Sequence, residues 1–379
     1  MATARYLSPY RKHRSAVYHC ISRVVDRRFI LGDTERELFV GLMRNCETFY
    51  GVKILSYCVM SNHFHLLVEV PKEGEVEISD DEFLRRVKAL YSASYYAEVK
   101  QIFNNLLETA SQDAEGNPSR VAADNFKRQY TSRMHDLGNF MKSLKQRFSR
   151  WYNRHNNRDG YLWSGRYTSV LVQAGYVARI MSTYIDLNPV RAGMVEKPED
   201  YRWCSYGAAL AGDKRARRGL CRVLWLKDEM PNSAAENQPW DEENARHYWT
   251  DGCAERYRVL LYTDAEQTFK DIMTRDGQWV KAQVRKGIRK DEIEKVAEAN
   301  GQVNMAYLLR HKVRHFSDGM AIGSQSFLNE VFQQTKEWFG EKRKSGARKM
   351  KSKHWSQSPK EVCAMRDLQQ EPPLPNELE

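Results

Sequence analysis

From Ser15 to Val24 β-branched and aromatic side chains alternate roughly with polar ones, the period of a strand. Asp33-Thr34-Glu35-Arg36 then opens a stretch in which Leu38, Phe39, Leu42, Met43 and Cys46 recur at helical spacing, and this predicts a helix ending near Gly51. Two apolar runs follow, Lys53 to Met60 and His63 to Val70, separated by the polar pair Ser61-Asn62, which suits a hairpin. After Lys72 the pattern turns acidic, with Glu73, Glu75, Glu77, Asp80, Asp81 and Glu82, then helical, then polar from Ser111 to Ser119. That stretch reads as an insertion. An amphipathic helix is predicted from His135 to about Tyr152, a strand from Thr168 to Gln173, and a helix from Ala174 to Leu187 that Pro189 stops. The order is β-α-β-β-α-β with an extra helix.

Beyond Tyr206 the cluster Lys214, Arg215, Arg217 and Arg218 and the polar stretch Pro231 to Asn244 read as a linker. Helical periodicity returns with Tyr257, Leu260, Leu261, Phe327, Val331, Phe332 and Trp338. The expected layout is a first domain over 1–210 with an insertion at about 72–134, a linker over 211–244, a mainly helical domain over 245–340 and a basic, disordered tail over 341–379. A chain of 379 residues exceeds the size at which one core stops growing, which agrees with more than one domain.

Composition narrows the class. Apolar residues at 41% and charged residues at 29% are globular values. No apolar run is long enough to span a membrane, and the N-terminus lacks a signal-peptide core, so the expectation is a cytoplasmic protein of bacterial type, nucleoid-associated, with no membrane partner. The 7 cysteines are scattered and never spaced as CxxC, which argues against a disulfide framework or a zinc ribbon. A formal charge of +11 favours partners carrying phosphate. Lys142, Lys145, Arg147, Arg150, Arg154, Arg158 and Arg166 are interleaved with Phe148, Trp151, Tyr152, Tyr161, Trp163 and Tyr167. Cations beside rings that can stack on bases are what a nucleic-acid surface requires.

His63-Phe64-His65 lies inside an apolar run. Side chains two apart on a strand leave the same face, so both imidazoles point together while Phe64 points into the other layer. That prealigns two metal ligands, although His-x-His on a strand is more often a structural pair. Tyr184 and Asn188 stand one turn apart on a helix, where a phenol and an amide oxygen could face the same ion. The plainer readings are a core aromatic and a helix C-terminal residue before proline. His19 reads as core, and Trp163 and Tyr167 read as core as readily as stacking platforms beside Tyr161.

Three motifs in order carry a resemblance: Tyr57-Cys58-Val59-Met60-Ser61-Asn62-His63-Phe64-His65-Leu66-Leu67-Val68, Tyr161-Leu162-Trp163-Ser164-Gly165-Arg166-Tyr167, and Tyr184-Ile185-Asp186-Leu187-Asn188-Pro189-Val190-Arg191-Ala192-Gly193. Over residues 15 to about 206 the chain resembles the HUH single-tyrosine (Y1) transposases of the IS200/IS605 group, and most nearly their REP-associated tyrosine transposase relatives. The resemblance implies an α+β fold: a ferredoxin-like domain with an antiparallel sheet, here followed by a C-terminal mainly α domain. It implies that His63, His65 and Asn188 hold Mg²⁺ or Mn²⁺ and that Tyr184 is the catalytic nucleophile, forming a 5′-phosphotyrosine in single-stranded or hairpin DNA. Arg23, Arg27, Arg28, Lys142, Lys145, Arg147, Arg150, Arg154 and Arg166 are the candidates for DNA contacts. A homodimer is compatible with it, and completion of the site in cis or by a partner is left open. The alternative is a domesticated, non-cutting DNA-binding or regulatory protein that keeps the fold.

Overall fold

The computed structural model describes residues 6–74, 76–109, 120–226, 249–263, 268–273, 279–285, 319–339, 341–349 and 362–365. Strand β1 (Ala16–Arg23) leads to helix α1 (Asp33–Tyr50), and β2 (Lys53–Val59) and β3 (His63–Val70) follow as a hairpin. Helix α1 ends because Gly51 takes a left-handed φ of 66°, where a side chain would also strike Arg86 and His135. Helices α2 (Asp80–Leu90), α3 (Ala93–Glu108) and α4 (Val121–Thr131) occupy the expected insertion, and α2 packs on α1. The polar stretch from Ser111 to Ser119 lies outside the described residues. Then come α5 (Leu137–His155), β4 (Thr168–Val172), α6 (Tyr176–Asp186) and the single turn α7 (Asn188–Arg191).

In the sheet β3 lies between β2 and β1, and β1 between β3 and β4, every pair antiparallel. The α+β, ferredoxin-like expectation matches this arrangement. Alternate side chains of β3 leave opposite faces. Phe64 packs on Phe39 of α1 with ring centroids 4.6 Å apart, on the layer that also carries α5. His65 turns to the other layer, where α6 lies against β2, β3 and β4.

The structure departs from the expected layout after residue 210. Helices α8 (Ser205–Leu210) and α9 (Lys214–Trp225) pack on β2, so the basic cluster read as linker belongs to an amphipathic helix, in which Lys214 is exposed while Arg215 donates to the Arg44 carbonyl at 3.1 Å and Arg217 to the Ala209 carbonyl at 2.8 Å. Its approach to the strand is close: a Cβ on Gly219 would stand 2.5 Å from the carbonyl oxygen of Ile54. Helix α10 (Ala254–Thr263) and helix α11 (Gln325–Gln333) follow the predicted periodicity. Between them stand strands, β5 (Thr268–Met273) paired with β6 (Trp279–Arg285), and β7 (Ala321–Gly323). β7 runs parallel to β4 and extends the first sheet, which continues through β9 (Cys363–Met365) to β8 (Arg348–Lys349). Both β8 and β9 fall in the segment expected to be a disordered tail. The edge of β4 supplies unpaired backbone groups, and two- or three-residue partners satisfy them without a periodicity that sequence could reveal. Among the described residues no helix is long and apolar enough to cross a membrane.

Candidate active site

The site is built where β1 and β3 face α6. In the antiparallel register Arg23 stands opposite His63 and Ile21 opposite His65, so His19, Arg23, His63 and His65 share one face. The rings of His63 and His65 have centroids 5.0 Å apart. From the facing helix Tyr184 places its ring edge-on to His65 at 5.9 Å and to His19 at 6.0 Å. Asn188, one turn on, donates its amide nitrogen to the carbonyls of Tyr184 (3.0 Å) and Ile185 (3.3 Å), which leaves Oδ1 as the amide's acceptor.

Hydrogen bonds decide which ring nitrogen of each histidine is available. The Asn62 amide is oriented by its Nδ2 donating to the Arg27 carbonyl at 2.9 Å, so its Oδ1 faces His63 Nδ1 at 2.7 Å. An amide oxygen only accepts, hence His63 carries its proton on Nδ1 and keeps the lone pair on Nε2. His65 Nδ1 lies 3.0 Å from Nε2 of His19, and the two rings are nearly parallel. Burial pushes His63 down to about 4 and lowers His65 well below the ordinary range, with Arg23 and the neighbouring imidazoles adding to the effect on His65. Both rings are therefore neutral near pH 7, the form a ligand requires. Among the described residues no cluster of three or more His, Cys, Asp or Glu is arranged to hold a metal. The donor set here is two imidazoles and an amide, which fits a divalent ion that draws its remaining ligands from substrate oxygens.

Two residues stand out that the sequence did not single out for a role. His19, expected to be core, is fully buried but spends a ring nitrogen on His65. The β1 alternation that puts His19 on the face of Ile21 and Arg23 was the available signal; the pairing with β3 was not. Arg191 places its guanidinium 4.7 Å from the Tyr184 ring centroid and donates to the Tyr184 carbonyl at 3.3 Å. It belongs to the quoted Asn-Pro motif, two turns after the tyrosine.

The basic candidates separate. Helix α5 lies with α1 on the layer opposite α6. There Lys142, Arg150 and Arg154 are exposed, whereas Lys145 donates to the Gly165 carbonyl at 2.7 Å and Arg147 lies over Tyr91. Arg23, Arg27, Arg28 and Arg166 are exposed. Trp163 and Tyr167 are buried, and Trp163 packs against Phe39, Phe64 and Phe148. Tyr161 is exposed.

Helix α6 is gripped from behind. Asp186 is fully buried, accepts from the Tyr257 hydroxyl of α10 at 2.6 Å and from the Tyr206 amide at 3.1 Å, and burial pushes it up to about 7. Ser182 and Tyr257 share a further hydrogen bond of 2.7 Å. The segment after residue 249 thus holds the tyrosine helix from its far side.

A model of the IS200-like transposase family matches residues 12–111, a span that contains both histidines and ends before the tyrosine helix. The resemblance read from the sequence agrees with that match. Among solved structures, one described as the REP-associated tyrosine transposase bound to a REP hairpin is similar at 15% identity and a TM-score of 0.34, covering 62% of this chain and 98% of that one. No curated protein matches the chain.

Proposed function

We propose that this chain, with the IS200-like transposase pattern over residues 12–111, nicks and rejoins single-stranded, hairpin-bearing DNA through a covalent link to Tyr184. The observation that supports it most is the approach of the Tyr184 ring to within 5.9 Å of His65, whose partner His63 keeps its lone pair on Nε2. A binding module has no use for a phenol one turn before a candidate amide ligand.

His63, His65 and Asn188 would hold Mg²⁺ or Mn²⁺, which supplies Lewis-acid withdrawal of charge from the scissile phosphate. Arg23, exposed beside His63, meets a non-bridging phosphate oxygen. A free phenol, with a reference pKa of about 10, is mostly protonated near pH 7, so the Tyr184 hydroxyl needs help to lose its proton. Arg191 over its ring favours the negative charge that develops there. The Tyr184 oxygen forms a bond to phosphorus as the bond to the 3′ oxygen breaks. The leaving oxygen takes up a proton in place of the one the phenol gives up, and a 5′-phosphotyrosine remains. Rejoining reverses the step with a new 3′-OH.

Tyr184 is only 2% exposed, so substrate must displace Arg191 or shift α6 to reach it. That burial favours the second reading, a non-cutting DNA-binding protein. Incubation with 5′- and 3′-labelled hairpin oligonucleotides and Mn²⁺, followed by denaturing electrophoresis, separates the two. The nicking reading expects a protein–DNA adduct that Tyr184→Phe abolishes while binding persists. Binding with no adduct in the unmodified chain would establish the second reading instead.

A further inference from the structure

Phe29 is 82% exposed and Tyr161 is 89% exposed, the two most exposed large apolar side chains among the described residues. Single exposed aromatics are ordinary. These two are carried by segments zipped together: the Val25 amide donates to the Leu162 carbonyl at 2.9 Å, the Ser164 amide to the Arg23 carbonyl at 2.9 Å, and Val24 bridges Trp163. Each segment also carries a buried side chain two residues on, Leu31 after Phe29 and Trp163 after Tyr161. The rings therefore stand on a fixed base.

The turn that presents Phe29 is strained. Asp26 and Arg27 adopt φ of 56° and 54°, left-handed values that side chains avoid, at a cost of roughly 1 kcal/mol or more each. Asn62 holds this turn by donating to the Arg27 carbonyl, and with its other amide atom it orients His63. One amide thus couples the turn to the candidate metal ligand. Charge completes the pattern: Arg23, Arg27, Arg28 and Arg166 are exposed on these two segments, against Asp26 and Asp159.

We propose that Phe29 and Tyr161 form a stacking platform for bases of single-stranded DNA next to the nicking site, with Arg23, Arg27, Arg28 and Arg166 taking the adjoining phosphates. A duplex hides its base faces, whereas an unpaired strand beside a hairpin offers them to flat rings. The strain persists because the surrounding hydrogen bonds over-determine it, and its effect is to turn Phe29 outward. The platform rests on the nucleic-acid reading above.

The test uses the full chain, a labelled oligothymidylate and a second oligonucleotide of equal length and charge with abasic sites, titrated by fluorescence anisotropy at several salt concentrations. Phe29→Ala and Tyr161→Ala should each weaken oligothymidylate binding roughly 5- to 150-fold, with Phe29→Trp restoring it. Their affinity for the abasic strand should equal that of the unmodified chain, and the slope of log K against log salt should not change, because no cation is lost. Arg28→Gln should instead flatten that slope by about 0.7. Unaltered oligothymidylate binding in both alanine variants overturns the platform alone. Equal weakening toward both strands overturns it too, since a merely structural effect would act that way. An unmodified chain with no affinity for either oligonucleotide overturns the platform and the nucleic-acid reading together.

Discussion

Asp186→Asn changes one atom at the junction of the tyrosine helix with the C-terminal segment, and its consequence is a pH dependence of known sign. The Asp186 carboxyl is fully buried, and burial pushes it from 3.8 up to about 7. Below the lower value it is protonated folded and unfolded and contributes no slope. Between the two values the unfolded chain gives up the proton that the fold retains, so stability falls as pH rises; above about 7 both states ionise and the loss levels off. Integrated from pH 5 to pH 8, the loss is about 2–3 kcal/mol. Asparagine keeps the shape, and the chain of hydrogen bonds through Tyr257 and Ser182 can reverse its donors to suit an amide. The variant should therefore lack this slope. His63, lowered by burial, acts oppositely and loses stability as pH falls below the ordinary histidine value, but it does so in both proteins and cancels in the comparison. Urea unfolding followed by tryptophan fluorescence at pH 5, 6.5 and 8 reads the difference. The unmodified chain should lose about 2–3 kcal/mol relative to the variant across that range. Parallel pH profiles would show that Asp186 is ionised in the fold throughout and that burial does not hold its proton.

His19→Phe removes the ring nitrogen that meets His65 and should weaken Mn²⁺ binding about 10- to 100-fold, measured by titration calorimetry or by the electron paramagnetic resonance of free Mn²⁺. An unchanged affinity would reduce His19 to packing. Gly219→Ala would gain helix propensity in an open site, yet here the added methyl stands 2.5 Å from the Ile54 carbonyl oxygen and 2.6 Å from that of Leu55. It should lower stability by about 1–3 kcal/mol, seen as a lower melting temperature; a rise would mean that α9 does not press on β2 as described.

Much of the first domain was legible because its signals are local. Rough alternation placed β1 and an apolar run placed β3, which begins at His63, and the four-residue spacing of Tyr184 and Asn188 put both in one short segment that Pro189 interrupts. The shared face of His63 and His65 follows from the pleat alone. What only the fold decided depends on pairing between distant segments. The register of β1 against β3 sets His19 beside His65, and the antiparallel hairpin sets Asn62 between His63 and Arg27. Neither relation has a period in the sequence. The same holds for β7, β8 and β9, which join the sheet through backbone groups that every residue carries, and for α9, whose basic face concealed an apolar one. Exposure was the last unknown. Trp163 and Tyr161 stand two residues apart with the same aromatic character, and only packing against Phe39, Phe64 and Phe148 buries the first and leaves the second open to solvent.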